Sequence, residues 1–178
     1  LKKLLYFILA LSFIIWFGGS LTRNVLIFDL FLPAQELTLK PDYSDDIINY
    51  NIYLFTSTSI YTSVSYIITF VLFAYQMFSE RRLLKSEGWL FMSVILFFLV
   101  SPIVIYNIYM DFTLSRAIYF SDYSYLSAGS LSDTIIMRYG NQLNTVLSGI
   151  AYLANLNVLA YFIIRPLSRP DNFLKHNE

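Results

Sequence analysis

The chain has 178 residues, of which 57% are hydrophobic, 19% aromatic and 13% charged, against about 25% charged in an ordinary soluble domain. Its 12 basic and 12 acidic side chains cancel, so no overall field recruits nucleic acid or an acidic substrate, and nucleic acid is excluded as an expected partner. Cysteine is absent, which removes disulfides, thiolate metal sites and cysteine nucleophiles together. The composition predicts an all-α fold: an integral membrane four-helix bundle of two transmembrane hairpins with two outer-side segments, residues 1–178 forming a single membrane domain.

Lys2 and Lys3 precede an apolar run from Leu4 to Leu21, which spans about 27 Å at about 1.5 Å per residue and matches a bilayer core. The two lysines with Gly18 and Ser20 also imitate a secretory signal peptide. The reading adopted is a retained first helix over 4–21, or extended to 32, where Pro33 restricts the residue before it. Residues 33–51 are polar and acidic, with Glu36, Asp42, Asp45 and Asp46 against Lys40, and form the first outer segment. Ser44 to Asp46 are placed to cap the second helix, predicted over 52–78.

An inner turn over 79–88, Ser-Glu-Arg-Arg-Leu-Leu-Lys-Ser-Glu-Gly, separates this helix from a third over 89–110. Pro102 removes one backbone hydrogen bond there and predicts a kink. Residues 111–142 form a second outer segment rich in Tyr and Ser, within which Ser132 and Asp133 are expected to start a short amphipathic helix. The fourth helix covers 143–164 and ends at Arg165 and Pro166, leaving an inner tail over 165–178.

Charge counting orients this layout. Lys2, Lys3, Arg81, Arg82, Lys85, Arg165, Arg169 and Lys175 fall on one side, and Arg23, Lys40, Arg116 and Arg138 on the other. The positive-inside rule places both termini on the cytoplasmic or matrix side. The bias towards Ile, Asn, Tyr, Phe and Lys fits an AT-rich coding sequence, so the expected location is a bacterial or mitochondrial inner membrane.

Two polar stripes stand out. On the second helix Asn51, Thr58, Thr62, Ser65, Thr69 and Gln76 share a face by their spacing, and on the fourth Asn144, Ser148, Ala151 and Asn155 do the same. In a bilayer such residues mark close helix contacts, so the stripes are expected to face each other or a partner subunit. The alternative is a polar cavity for a quinone, a lipid headgroup or a transported solute. Near the outer ends, Arg23, Asp29, Asn107, Asp111 and Arg116 cluster in sequence position. Arg23 and Asp111 are the candidate ion pair across the first and third helices, set against the simpler reading that all five stay hydrated at the headgroups.

Other signals are weaker. Asp42, Ser44 and Asp46 have the spacing of a calcium loop, but Ile47 stands for its glycine and Tyr53 for its terminal glutamate. His176, the one histidine, lies in the polar tail, so paired histidine ligands for a haem are missing from the chain. Trp89 and the tyrosines at 43, 50, 53, 106, 109, 119, 123, 125 and 139 fit aromatic belts, and Trp16 beside Gly18, Gly19 and Ser20 reads as filling a packing gap. The runs Trp16–Gly19 and Leu153–Asn157 are too short to carry a family resemblance.

No acid–base pair, nucleophile–base pair or metal cluster has a usable spacing, so no enzyme activity and no cofactor are predicted, while bound lipids are expected. Two functions remain. The first is a structural or accessory subunit of a larger membrane complex, with other membrane subunits and the bilayer as partners. The alternative is a small stand-alone carrier or a lipid- or quinone-binding membrane protein.

Overall fold

The computed structural model describes residues 2–32, 38–120, 135–136 and 138–166. Its helices are α1 (Lys2–Phe28), α2 (Asp45–Ser79), the short α3 (Arg81–Ser86), α4 (Gly88–Phe120) and α5 (Gln142–Ile164), with residues 138–140 also helical. Among the described residues the only extended pairing is the isolated bridge between Phe31 and Leu39. Four helices, α1, α2, α4 and α5, are long and apolar enough to cross a membrane.

Helix α1 ends at Phe28, between the two ends expected, and two further boundaries differ from the sequence reading. Helix α2 starts at Asp45 rather than 52, with Ser44 extended at φ −69° and ψ 157° and Asp45 and Asp46 in the first turn. Carboxylates there favour the positive end of the helix dipole, and the Ser44 side chain makes no capping bond. Helix α4 continues ten residues past 110 to Phe120. Polarity at 111–116 imitated a loop, yet Asp111, Leu114 and Ser115 are all buried, at the three- and four-residue spacing of one helical face. The basic turn at 79–88 contains α3, and Pro102 lies inside α4, which runs on past it.

The principal helix pairs are α1 with α2, α4 with α5, and α2 with α4. Tyr6 meets Glu80, Ser12 meets Thr69, Trp16 meets Tyr66 and Arg23 meets Thr62. Rising numbers on α1 thus meet falling numbers on α2. Gly19 makes their close approach possible, since a Cβ there would lie 2.5 Å from Thr62 Cγ2. Trp16 packs on Phe13, Phe17 and Tyr66 rather than into a gap at Gly18, where a Cβ would meet nothing within 4 Å.

Two apolar cores result. One is built on Trp16, Tyr66, Phe73, Phe97, Val100 and Val158. The other, on Ile27, Leu30, Ile52, Phe55, Leu114 and Ile135, lies nearer the α2 start and the α4 end. Between them along each chain segment come Arg23 on α1, Thr62 on α2 and Asp111 on α4. A polar layer is therefore enclosed by apolar side chains above and below.

Candidate functional site

The polar layer is the chemically distinctive part of the molecule. Arg23 Nη2 donates to Asp111 Oδ2 at 2.7 Å and Nη1 to Thr62 Oγ1 at 3.0 Å, while Thr62 in turn donates to the α2 backbone at Thr58 and Ser59. Arg23 is 5% exposed and Asp111 3%, so the hydrated alternative does not hold for this pair. Burial of this kind is costly unless the charges are paired and hydrogen-bonded.

Sequence reasoning missed the third member. Arg138 forms an ion pair with the second oxygen of Asp111, Oδ1. Its guanidinium carbon lies 5.1 Å from the Phe55 ring centroid, and that of Arg23 lies 4.2 Å from the same ring. The aromatic face helps to hold both cations in a dry setting. Among the described residues two guanidiniums thus share one carboxylate, leaving the layer with surplus positive charge. Ile135, Arg138 and Tyr139 are spaced by three and four, the signature of one helical face, and that spacing was the available clue.

The other members of the early cluster separate. Asp29 is outside this layer, bonded by Lys40 at 2.8 Å and by the Tyr43 hydroxyl at 2.9 Å. Those bonds hold the Asp29 carboxyl below its ordinary value, and Asp29 with Tyr43 holds the Lys40 ammonium above its own. Arg116 is exposed.

Thr62 of the α2 stripe and Ser148 and Ala151 of the α5 stripe line one small pocket, and among the described residues no hydrogen bond joins the two stripes directly. On α2, Thr69 donates to Ser12 of α1 at 2.9 Å and Ser59 shares a hydrogen bond with Ser115 of α4 at 3.0 Å. Ser65 is buried, and Thr58 bonds its own helix at Leu54 and Phe55. On α5 the stripe turns to α4. Asn144 Nδ2 donates to Asn107 Oδ1 at 3.2 Å and to the Arg138 carbonyl at 3.3 Å, and Asn107 Nδ2 donates to Ser148 Oγ at 2.8 Å. Asn155, 1% exposed, bonds its own helix at Ala151, and its Oδ1 has no partner.

Cavities follow the remaining seam, where α1 faces α5. There the helices touch through long side chains: Phe17 and Tyr152 rings lie 6.1 Å apart, and Asn24 Nδ2 donates to the Tyr152 hydroxyl at 3.1 Å. A pocket of about 30 Å³ lies against Ser20, Arg23, Asp111 and Ala151, room for about one water. A cleft of about 230 Å³ with a mixed lining has Asn24, Asn107, Asn144 and Thr145 in its walls beside Phe28 and Gly149. The two share Arg138, Ser148 and Tyr152 in their walls. Further along the same seam an apolar groove of about 240 Å³ runs over Leu9, Phe13, Phe73, Phe97, Val158 and Phe162. A head space with polar groups in its walls and an apolar channel thus lie on one side of the bundle.

Among the described residues no group of three or more His, Cys, Asp or Glu side chains is arranged to hold a metal. No protein-family model, curated protein sequence or solved structure matches this chain. The class defined by the fold is that of a helical protein with four candidate membrane spans.

Proposed function

We propose that the chain is a multi-pass membrane protein that binds an amphiphile laterally, in the seam between α1 and α5. In this reading α1 with α2, and α4 with α5, form two hairpins. Both termini face the cytoplasm or matrix of a bacterial or mitochondrial inner membrane, as the eight basic residues on that side favour. The observation that carries the proposal is the succession of a cleft with polar groups in its walls and an apolar groove along one helix seam. An amphiphile presents the same two chemistries in the same succession, and a bilayer delivers it sideways.

The second reading, an accessory subunit of a larger membrane complex, draws on the long outer segments, the polar stripes and the lack of a catalytic constellation in the sequence. Among the described residues Thr69 of the α2 stripe bonds Ser12 and Ser148 of the α5 stripe accepts from Asn107, while the Gln76 amide and Asn155 Oδ1 have no hydrogen-bond partner.

The test uses Gly149, whose added Cβ would meet nothing within 4 Å and which lines the cleft. The full chain extracted in mild detergent should retain lipid detectable by native mass spectrometry. Gly149→Leu should lose it at an unchanged melting temperature. No enriched lipid on the parent chain, or equal retention by the variant, would remove the proposal. Orientation is read separately by single cysteines replacing Ser44 and Ser86. An impermeant reagent added outside should label the first only, and the reverse pattern would invert the topology.

A further inference from the structure

The hydrogen-bond directions around the cleft carry more than its shape. Asn144 donates to Asn107 Oδ1, which fixes the Asn107 amide so that its nitrogen donates to Ser148 Oγ. Tyr139 donates its hydroxyl to Asn24 Oδ1 at 3.0 Å, which fixes the Asn24 amide so that its nitrogen donates to the Tyr152 hydroxyl. Both terminal hydroxyls therefore accept from the protein. Their own protons are left to donate, and Ser148 and Tyr152 both line the cleft.

Arg138 lines it too, and behind it Arg23 shares the single carboxylate of Asp111. Arg23 is nineteen-twentieths buried and lines the adjoining pocket, and its Nε has no hydrogen-bond partner among the described residues. A wall with hydroxyl donors to spare, backed by two guanidiniums on one carboxylate among the described residues, is complementary to an anion.

We propose that the headgroup taken up at Arg138, Ser148 and Tyr152 is anionic, the phosphate of an acidic phospholipid, with an acyl chain following the α1–α5 seam towards the groove at Phe13 and Val158. This rests on the lateral-binding reading and adds the charge class of the ligand. Phosphate fits because its several oxygens can accept from the three donors together, while an arginine fork engages two oxygens at once. The surplus cation gives an acidic lipid an advantage that a zwitterionic one, carrying its own ammonium, lacks.

The experiment compares the full chain in mild detergent with dioleoylphosphatidylglycerol, with dioleoylphosphatidylcholine and with inorganic phosphate, scored by native mass spectrometry. The acyl chains are identical, so the headgroup alone differs. The expected result is retention of phosphatidylglycerol about tenfold better than of phosphatidylcholine, the scale of a charge-assisted hydrogen bond, with inorganic phosphate not retained. Arg138→Gln should abolish the preference, bringing phosphatidylglycerol retention down to that of phosphatidylcholine. Asn144→Asp, which sets a carboxylate in the cleft wall without removing an arginine, should abolish it as well and covers the case in which Arg138→Gln does not fold.

Equal retention of both lipids, each lost in Gly149→Leu, would overturn the anionic assignment and leave lateral binding standing. Retention of neither would sink both. Inorganic phosphate binding as well as the lipid would show a soluble-anion site and overturn the assignment of an acyl chain to the seam.

Discussion

Helix α1 is packed in opposite ways on its two sides. Towards α2 it offers Ser12, Trp16 and Gly19, small or flat groups that let the backbones close until a single added carbon at Gly19 would collide with Thr62. Towards α5 it offers Phe13, Phe17 and Asn24, which touch partners at arm's length and leave polar and apolar space between the helices. Hydroxyls on the first seam are spent on neighbouring helices or on their own backbone. On the second seam amides and hydroxyls are arranged so that donor protons remain for something else. Closure needs small side chains whose polar atoms find partners nearby, whereas a binding seam needs rigid spacers and polar groups satisfied from behind.

The largest predicted effect breaks the layer on which both seams rest. Asp111→Leu leaves the Arg23 and Arg138 guanidiniums buried without their countercharge, a loss of about 3–5 kcal/mol for such a pair. Folded yield and melting temperature should collapse. A fully stable variant would mean that this layer is hydrated in the membrane.

Next comes the contrast between two adjacent glycines. Gly19→Leu overpacks the α1–α2 contact and should cost about 1–3 kcal/mol, while Gly18→Leu, with open space around it, should leave the thermal midpoint unchanged. Equal effects would dissolve the distinction between the tight and the loose side of α1. Thr69→Val is smaller, since it removes the bond to Ser12 and keeps the shape. Membrane hydrogen bonds average about 0.6 kcal/mol in double-mutant cycles, so a cycle with Ser12→Ala should return a coupling of that order, and one several times larger would make hydrogen bonding rather than packing the principal cohesion of the tight seam.

The smallest effect lies outside both seams, at the exposed Asp29–Lys40 pair. The lowered Asp29 contributes stability that is present above the ordinary carboxylate range and lost as pH falls through its depressed value. The raised Lys40 contributes stability that is complete below the ordinary lysine range and lost as pH rises through its elevated value. The pair should therefore be flat through neutral pH and weaken with salt. Lys40→Ala should shift the thermal midpoint by little more than error, and a strong neutral-pH dependence in the parent chain would contradict this assignment.

Much of the fold was legible because hydropathy and length report directly on helices long and apolar enough to cross a membrane. Helix α1 ends at Phe28, between the two ends expected at 21 and 32. Where polarity was taken as a boundary the reading fell short, because the buried face of α4 beyond Met110 carries Asp111 and Ser115 and looks like loop sequence. Arg23 with Asp111 could be suspected from depth alone. Arg138 could not, since its partner lies in another helix and only the spacing of Ile135, Arg138 and Tyr139 hinted at an inward face. The direction of the amides at Asn24 and Asn107, which sets the character of the cleft, depends on tertiary partners and leaves no trace in sequence. The Ser132–Asp133 helix start and His176 lie outside the described residues.

The most direct test of the two-seam account exploits the absence of cysteine from the chain. Single cysteines replacing Gly149, in the cleft wall, and Ser59, which is 2% exposed, can be compared in reconstituted membranes for their rate of reaction with a small neutral methanethiosulfonate reagent. The account predicts that the cysteine at 149 reacts at least about tenfold faster, because the thiolate needed for reaction forms readily only where water reaches it, and that added phosphatidylglycerol slows it. Equal rates, or a faster reaction at 59, would contradict the claim that α1 is closed against α2 and open towards α5.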